Sequence, residues 1–282
     1  MSQQHLKHFR YVMGENPVTM FAFSLFALIV FLAIFGPFIT PHDPLATNAT
    51  NTLKPPSWNH AFGTDHLGRD VFSRVIAATR LDLGIAVSAV ALSFFIGGAL
   101  GCIAGFWGGW TDRIVGRFSD TIMAFPLFVL AMGIVASMGN TVENIIYATA
   151  IINLPFYARV ARAETSIRRN AGYVYAARLC GSSDARILAT QIFPNILPPM
   201  MVQISLNMGW AILNAAGLSF IGLGVRPPDA EWGIMVAEGA NYIVSGEWWL
   251  AIFPGVALML AVFCFNLLGD GLRDLVDPLR RT

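Results

Sequence analysis

Five stretches of this sequence run for more than twenty residues without an Asp, Glu, Lys or Arg: 18–42, 83–111, 121–142, 187–225 and 248–269. A helix needs about 20 apolar residues to cross the ~30 Å hydrocarbon layer of a bilayer. Each window meets that length, so the chain reads as a polytopic, all-α membrane protein. Composition agrees: 55% of the residues are hydrophobic and 12% are charged, where a soluble domain carries about 25% charged residues. The first window is too long for a signal-peptide core and lacks a small-residue cleavage site, so it reads as a retained helix. Net charge is +1, which argues against a nucleic-acid partner. No GxxxxGK[ST] phosphate loop occurs, so the chain has no ATPase site of that kind. Cys102, Cys180 and Cys264 show no CxxC spacing and read as small hydrophobes. The histidines His5, His8, His42, His60 and His66 form no metal-ligand pattern with a cysteine and read as surface residues.

A sixth candidate span, 144–158, is short and contains Asn153 and Pro155. Charge decides the count, because cytoplasmic loops are enriched in Lys and Arg. Six spans with both termini inside put thirteen of the eighteen basic residues in the cytoplasm. These are Lys7, Arg10, Arg113, Arg117, six arginines between Arg159 and Arg186, and Arg273, Arg280 and Arg281. Five spans would move the six-arginine loop to the opposite side from the N-terminus. The expectation is therefore about six spans, residues 41–82 outside and the middle loop inside.

Within that loop, "AARLCGSSDARILATQIFPN" (176–195) is a short basic stretch of small residues in a mostly apolar chain. Helix formers up to Cys180 precede Gly181, the residue best suited to a left-handed helix stop. Ser182 or Ser183 can cap a second helix, with Asp184 in its first turn where the dipole favours a negative charge. That helix is expected to end near Ile192, with Pro194 as the boundary before the next span. Small residues at the bend (Ala176, Ala177, Gly181) would let another protein approach the backbone. The residues fit an interfacial amphipathic loop equally well.

Ala176-Ala177, Gly181 and Phe193-Pro194 resemble the EAA loop of ABC-importer permeases, with Tyr175 in place of the usual Glu and Phe193 in place of Leu. "FGTDHLGRDVFSR" (62–74), "LSFIGLGVRPPDAEWG" (218–233) and "FNLLGDGLRDLVDP" (265–278) resemble signatures of C-type subunits of dipeptide and oligopeptide permeases. The resemblance runs in order along essentially the whole chain. It implies the type I importer fold and a coupling loop near 165–193 that docks in the ATPase through Tyr175, Ala176, Ala177, Gly181, Asp184 and Pro194. It also implies a homologous B-type permease, two cytoplasmic ATPase subunits, an external solute-binding protein and surrounding membrane lipid. On this reading the chain holds no cofactor, and ATP and Mg are used by the partner subunits. The location implied is a bacterial inner membrane, and the cargo is a peptide, or alternatively glutathione or nickel.

The remaining features carry two readings each. Between 62 and 82, Asp65, Asp70 and Asp82 alternate with Arg69, Arg74 and Arg80, which suggests a solvated amphipathic helix outside the membrane. It would either anchor the structure or contact an external partner through Asp65, Arg69 and Asp70. Asp229 and Glu231 are further candidates for such contact, while Trp248 and Trp249 read as an interfacial belt. Gly97, Gly98, Gly101 and Gly105 suit close helix packing. Gly269 and Gly271 are expected to end the last helix before an amphipathic tail of Leu272, Leu275, Val276 and Leu279. The chain divides into an N-terminal part, 1–82, and a core permease part, 83–282. A secondary transporter would need ionisable residues within its spans, and an enzyme an acid, base or nucleophile cluster; the five windows offer neither. The conduit would then be wet, lined by groups such as Ser88, Asn207 and Asn214.

Overall fold

The computed structural model describes residues 17–276, with side chains to 273. Lys7, Arg10, Arg280 and Arg281, His5 and His8, and the tail positions Leu275, Val276 and Leu279 (in whole or in their side chains) fall outside the described residues. The described residues are helical apart from connecting loops and one bridge between Thr64 and Asp70. In chain order the helices are α1 (Pro17–Ile39), α2 (Val71–Trp107), α3 (Gly109–Met123), α4 (Leu127–Met138) and α5 (Val142–Arg168). They continue with α6 (Gly172–Leu179), α7 (Asp184–Ile187), α8 (Phe193–Phe220), α9 (Trp232–Ala240) and α10 (Trp249–Val276).

Four segments are long and apolar enough to cross a membrane: α1, α2, the α7–α8 run and α10. The third window does not form one straight span. It breaks at Ala124–Pro126, where α3 and α4 meet at 88°. Pro126 excludes the helical conformation from Phe125 before it. The 12 residues of α4 reach about 18 Å. The weak sixth window, by contrast, is a continuous helix of 27 residues, about 40 Å long. Its polarity is tolerated because it is sheathed by other helices: Thr149, Asn153, Tyr157 and Thr165 are all buried. The hydroxyl of Ser93 donates to Ala150 O at 2.9 Å, beside the carbonyl that Pro155 leaves without its helical donor. Among the described residues, apolarity and length thus give four spans, or five with the bent pair, while α5 is long enough to cross but less apolar than these.

The contact between α2 and α5 is close over three helical turns. A Cβ on Gly97, Gly101 or Gly105 would lie 2.6, 2.3 or 2.5 Å from the carbonyl oxygen of Leu154, Ala158 or Arg162. Every fourth residue of α2 faces α5, and only glycine lets the backbones approach so closely. Gly98 turns instead toward Met200. Helices α8, α10 and α1 pack on the opposite side of α2, with Phe26 against Phe265 edge to face.

Several boundaries differ from expectation. Helix α2 begins at Val71 and runs unbroken through the division drawn at 82/83. Pro194 does not separate a short helix from a span. The chain passes from α7 through a π-turn at Leu188–Ile192 into α8, so Asp184–Phe220 is one run. The wider turn absorbs the missing proline N–H near the start of α8. Gly269 and Gly271 lie inside α10, where a Cβ would meet Leu206 at 3.0 Å and Thr19 at 3.2 Å. They serve close packing and do not stop the helix.

Candidate functional site

The two ends of the bundle differ in chemistry. At the end reached by the C-terminus of α2, α6 packs only Val174 fully inward, while Ile187, Ile192 and Ile196 anchor the segment that follows. At Gly181, φ is +78°. The N–H of Gly181 donates to Arg178 O at 2.9 Å and that of Ser182 to Ala177 O at 3.1 Å, the paired bonds of a Schellman stop. A Cβ on Gly181 would meet nothing within 4 Å, so the backbone angle requires the glycine and crowding does not. Ser183 caps α7, accepting from the N–H of Arg186 at 3.4 Å. Arg178 lies over the Phe106 ring at 5.4 Å and 3.4 Å from Asp184. Arg169 donates to Gly105 O at 3.2 Å. These contacts fasten the bend to the end of α2.

The structure leaves the coupling candidates at or near the solvent-facing surface. Tyr175, Ala176, Gly181, Asp184 and Pro194 are exposed and Ala177 is half-buried. Sequence reasoning missed the apolar side chains among them: Leu179 is 90% exposed, and Ile167 and Tyr173 also face outward. The only signal for Tyr173 and Leu179 was hydrophobic character in a helix too short to bury more than one face. Beside this surface, α3 and α5 are joined by exposed pairs, Arg159 to Asp120 at 2.8 Å and Arg162 Nη2 to Asp112 at 2.7 Å.

At the opposite end, the loop between α1 and α2 folds onto the start of α2. The solvated helix expected over residues 62–82 is not formed: 62–70 is a loop, and Asp65, Arg69, Asp70, Arg74 and Asp82 are buried. The charges neutralise one another. The Asp65 carboxylate accepts from Arg69 Nε at 2.6 Å and lies 3.7 Å from Arg74 Nε, and Arg69 reaches Glu238 at 3.6 Å. Arg74 also donates to the carbonyls of Pro44 and Pro228 at 3.2 and 3.3 Å. Asp70 caps α2, accepting from Ser73 N at 2.8 Å and its hydroxyl at 2.7 Å, with His60 Nδ1 at 2.9 Å from its second oxygen.

Glu231 is also buried. It caps α9 by accepting from Gly233 N at 2.9 Å and Ile234 N at 2.8 Å. Burial pushes its carboxyl above the ordinary range, against the pull of those two N–H groups. Next to it, Asp82 accepts from Trp232 N at 3.1 Å. Of the five outward-contact candidates, only Asp229 is exposed; Asp65, Arg69, Asp70 and Glu231 point into the protein. Trp249 is buried and donates to Thr64 O at 3.3 Å, so only Trp248 keeps a belt-like position.

His42 is exposed as expected, while His60 is half-buried. Their rings lie 4.8 Å apart, and together with Asp70 they offer ligand atoms within 4.8 Å of one another. His42 Nε2 is 2.8 Å from Asn59 O, and His60 and Asp70 bind each other. Each group has a protein partner, so the cluster works as a staple of the loop. Among the conduit candidates, Asn207 and Asn214 are buried, bonding to Gln203 and to Trp210 O, while Ser88 is exposed in an open cavity.

Residues 97–282 match the family model described as binding-protein-dependent transport system inner membrane component. Residues 7–56 match the N-terminal TM domain of oligopeptide transport permease C. The chain is 42% identical over 268 residues to the probable D,D-dipeptide transport system permease protein DdpC of Escherichia coli (strain K12), covering 95% of this chain and 90% of that protein. It is 40% identical over 279 residues to the di/tripeptide transport system permease protein DppC of Pseudomonas aeruginosa (strain UCBPP-PA14), covering 97% and 92%. It is likewise 40% identical over 255 residues to the glutathione transport system permease protein GsiD of Escherichia coli O6:K15:H31, covering 89% and 83%.

Proposed function

The chain belongs to the family of binding-protein-dependent transport system inner membrane components, a multi-pass ABC-importer permease subunit and not an enzyme, and from that premise we propose that it carries peptides inward. In this reading it is the C-type half of a pair. A homologous B-type permease completes the conduit, two cytoplasmic ATPases supply the energy, and an external binding protein delivers the solute. The N-terminal span and outer loop precede Val71, and the core, with the coupling segment near 165–193, begins with α2.

One observation carries the assignment of the coupling end. The Schellman stop at Gly181 and the Ser183 cap hold a bend that presents Tyr175, Ala176, Leu179 and Asp184 outward. An exposed apolar patch beside a rigid bend is the kind of surface that seats in a partner's cleft. The arginine-rich α5–α7 segment supports placing this end, and both termini, in the cytoplasm. The loop at 40–70 then faces outside, with Asp229 available to an external partner. Cysteine labelling of intact cells, in a background lacking Cys102, Cys180 and Cys264, tests the orientation: a residue introduced at Thr50 should react and one at Ser183 should not. Reconstitution with all four partners tests the cargo. ATP-dependent uptake of a dipeptide is expected, and uptake of nickel with none of peptide would overturn the peptide reading while leaving the permease role intact. Glutathione, itself a tripeptide, is the second cargo to assay, because a glutathione permease is among the relatives.

A further inference from the structure

At the loop end of the bundle an open cavity of about 590 Å³ lies between α2, the start of α5 and the loops before α2 and α9. Its size falls within the range of small-molecule sites. Three charged side chains line it: Arg80, Asp43 and Asp229. All three are exposed, and none takes part in an ion pair among the described residues. Close by, Asp65, Arg69 and Arg74 neutralise one another in the interior, and Arg74 also feels the charge of Asp229. Arg80, Gly84 and Ser88 recur every fourth residue and form one face of α2. A Cβ on Gly84 would touch nothing within 4 Å, so the floor between the guanidinium and the hydroxyl stays open.

Arg80 also sits beside Ala33 and Ile34, level with the last turns of the apolar helix α1, which ends at Ile39. A cation there needs water or a counter-charge. A guanidinium takes a carboxylate through two parallel hydrogen bonds, and a carboxylate takes an ammonium. One cation and two anions around a single wet cavity match a small molecule that carries both groups.

We propose that this cavity is a station on the translocation path that receives the zwitterionic backbone of a peptide, Arg80 meeting its terminal carboxylate and Asp43 and Asp229 its terminal ammonium. The proposal rests on the peptide reading above and adds to it a selectivity that lies in the permease, apart from the binding protein. Arg80 acts here as a binding residue; its exposure and lack of a partner mean the fold does not depend on it.

The test uses the whole reconstituted importer and compares a dipeptide with a free C-terminus to its C-terminal amide, each delivered at equal occupancy of the binding protein. In Arg80→Gln, uptake of the free acid should fall about 10-fold or more, the usual worth of hydrogen bonds to a charged group. The amide should enter at the wild-type rate, and binding-protein-stimulated ATP hydrolysis should persist. Arg80→Lys, which keeps the charge but loses the paired hydrogen bonds, should recover only part of the free-acid uptake. Equal loss for both peptides, or no loss for either, as for an arginine that only meets lipid phosphate, would overturn the proposal. Failure of the wild-type importer to take up either peptide would overturn the cargo reading along with it.

Discussion

Replacing Gly101 by alanine adds one methyl group at the tightest point of the α2–α5 contact. The new Cβ would lie 2.3 Å from Ala158 O and 2.8 Å from Ala161 Cβ. Ordinary carbon–oxygen contacts begin at about 3.3 Å, so the two backbones must part by about 1 Å. Neither neighbour can yield alone, since one is a main-chain carbonyl and the other the stub of an alanine. Overpacking of this kind costs about 1–3 kcal/mol. Gly84 in the same helix is the internal control, because a methyl there meets nothing within 4 Å. Its replacement by alanine should gain up to about 1 kcal/mol of helix propensity. The same chemical change, 17 residues apart in one helix, should therefore act with opposite signs. Reversible unfolding of the purified chain in mixed micelles, followed by helical circular dichroism, measures both. Equal effects at Gly101 and Gly84 would refute the claim that backbone proximity, and no general property of α2, requires the glycines.

Three further outcomes follow from the two ends of the bundle. Gly181→Val forces a β-branched residue to a φ of +78°, at a cost of about 1–2 kcal/mol or more; transport and ATPase association should fall while the protein still inserts, and normal transport would remove the bend from the coupling role. Asp70→Ala should destabilise by about 1–2 kcal/mol through the lost α2 cap, whereas Asp70→Asn, which keeps an acceptor, should cost less in the same unfolding assay. Burial holds the Glu231 carboxyl above its ordinary range, so the folded chain retains a proton that the unfolded chain gives up. Stability should therefore fall as pH rises from the ordinary glutamate range through the raised folded value, and an unfolding series from about pH 5 to about pH 8 should show a shallower fall in Glu231→Gln.

The bend at Gly181 was legible in the sequence because its signals are local. Gly181 stops a helix, Ser183 starts one and Asp184 follows in the first turn, all within four residues. The membrane class and the glycine spacing of α2 were legible for the same reason: charge-free length and a four-residue repeat are properties of the chain read by itself. Prolines were not legible one at a time. Pro126 breaks its window, while Pro155 stays inside α5 with a hydroxyl from α2 beside the break, and Pro194 is absorbed by a π-turn.

The charged segment at 62–82 shows the limit most plainly. Alternating Asp and Arg looks the same whether water or protein surrounds it, and the pattern alone favoured water. Arg74 is buried because Pro228, 154 residues away, supplies a carbonyl, and Asp82 because Trp232, 150 residues away, supplies an N–H. Arg80, in the same stretch, finds no such partner and stays exposed in the cavity. The cost of burying a charge depends on which groups meet it. Local sequence therefore determined which stretches are apolar and where the Gly181 bend falls, while only the tertiary arrangement decided which charges are sealed in the interior and which stay exposed.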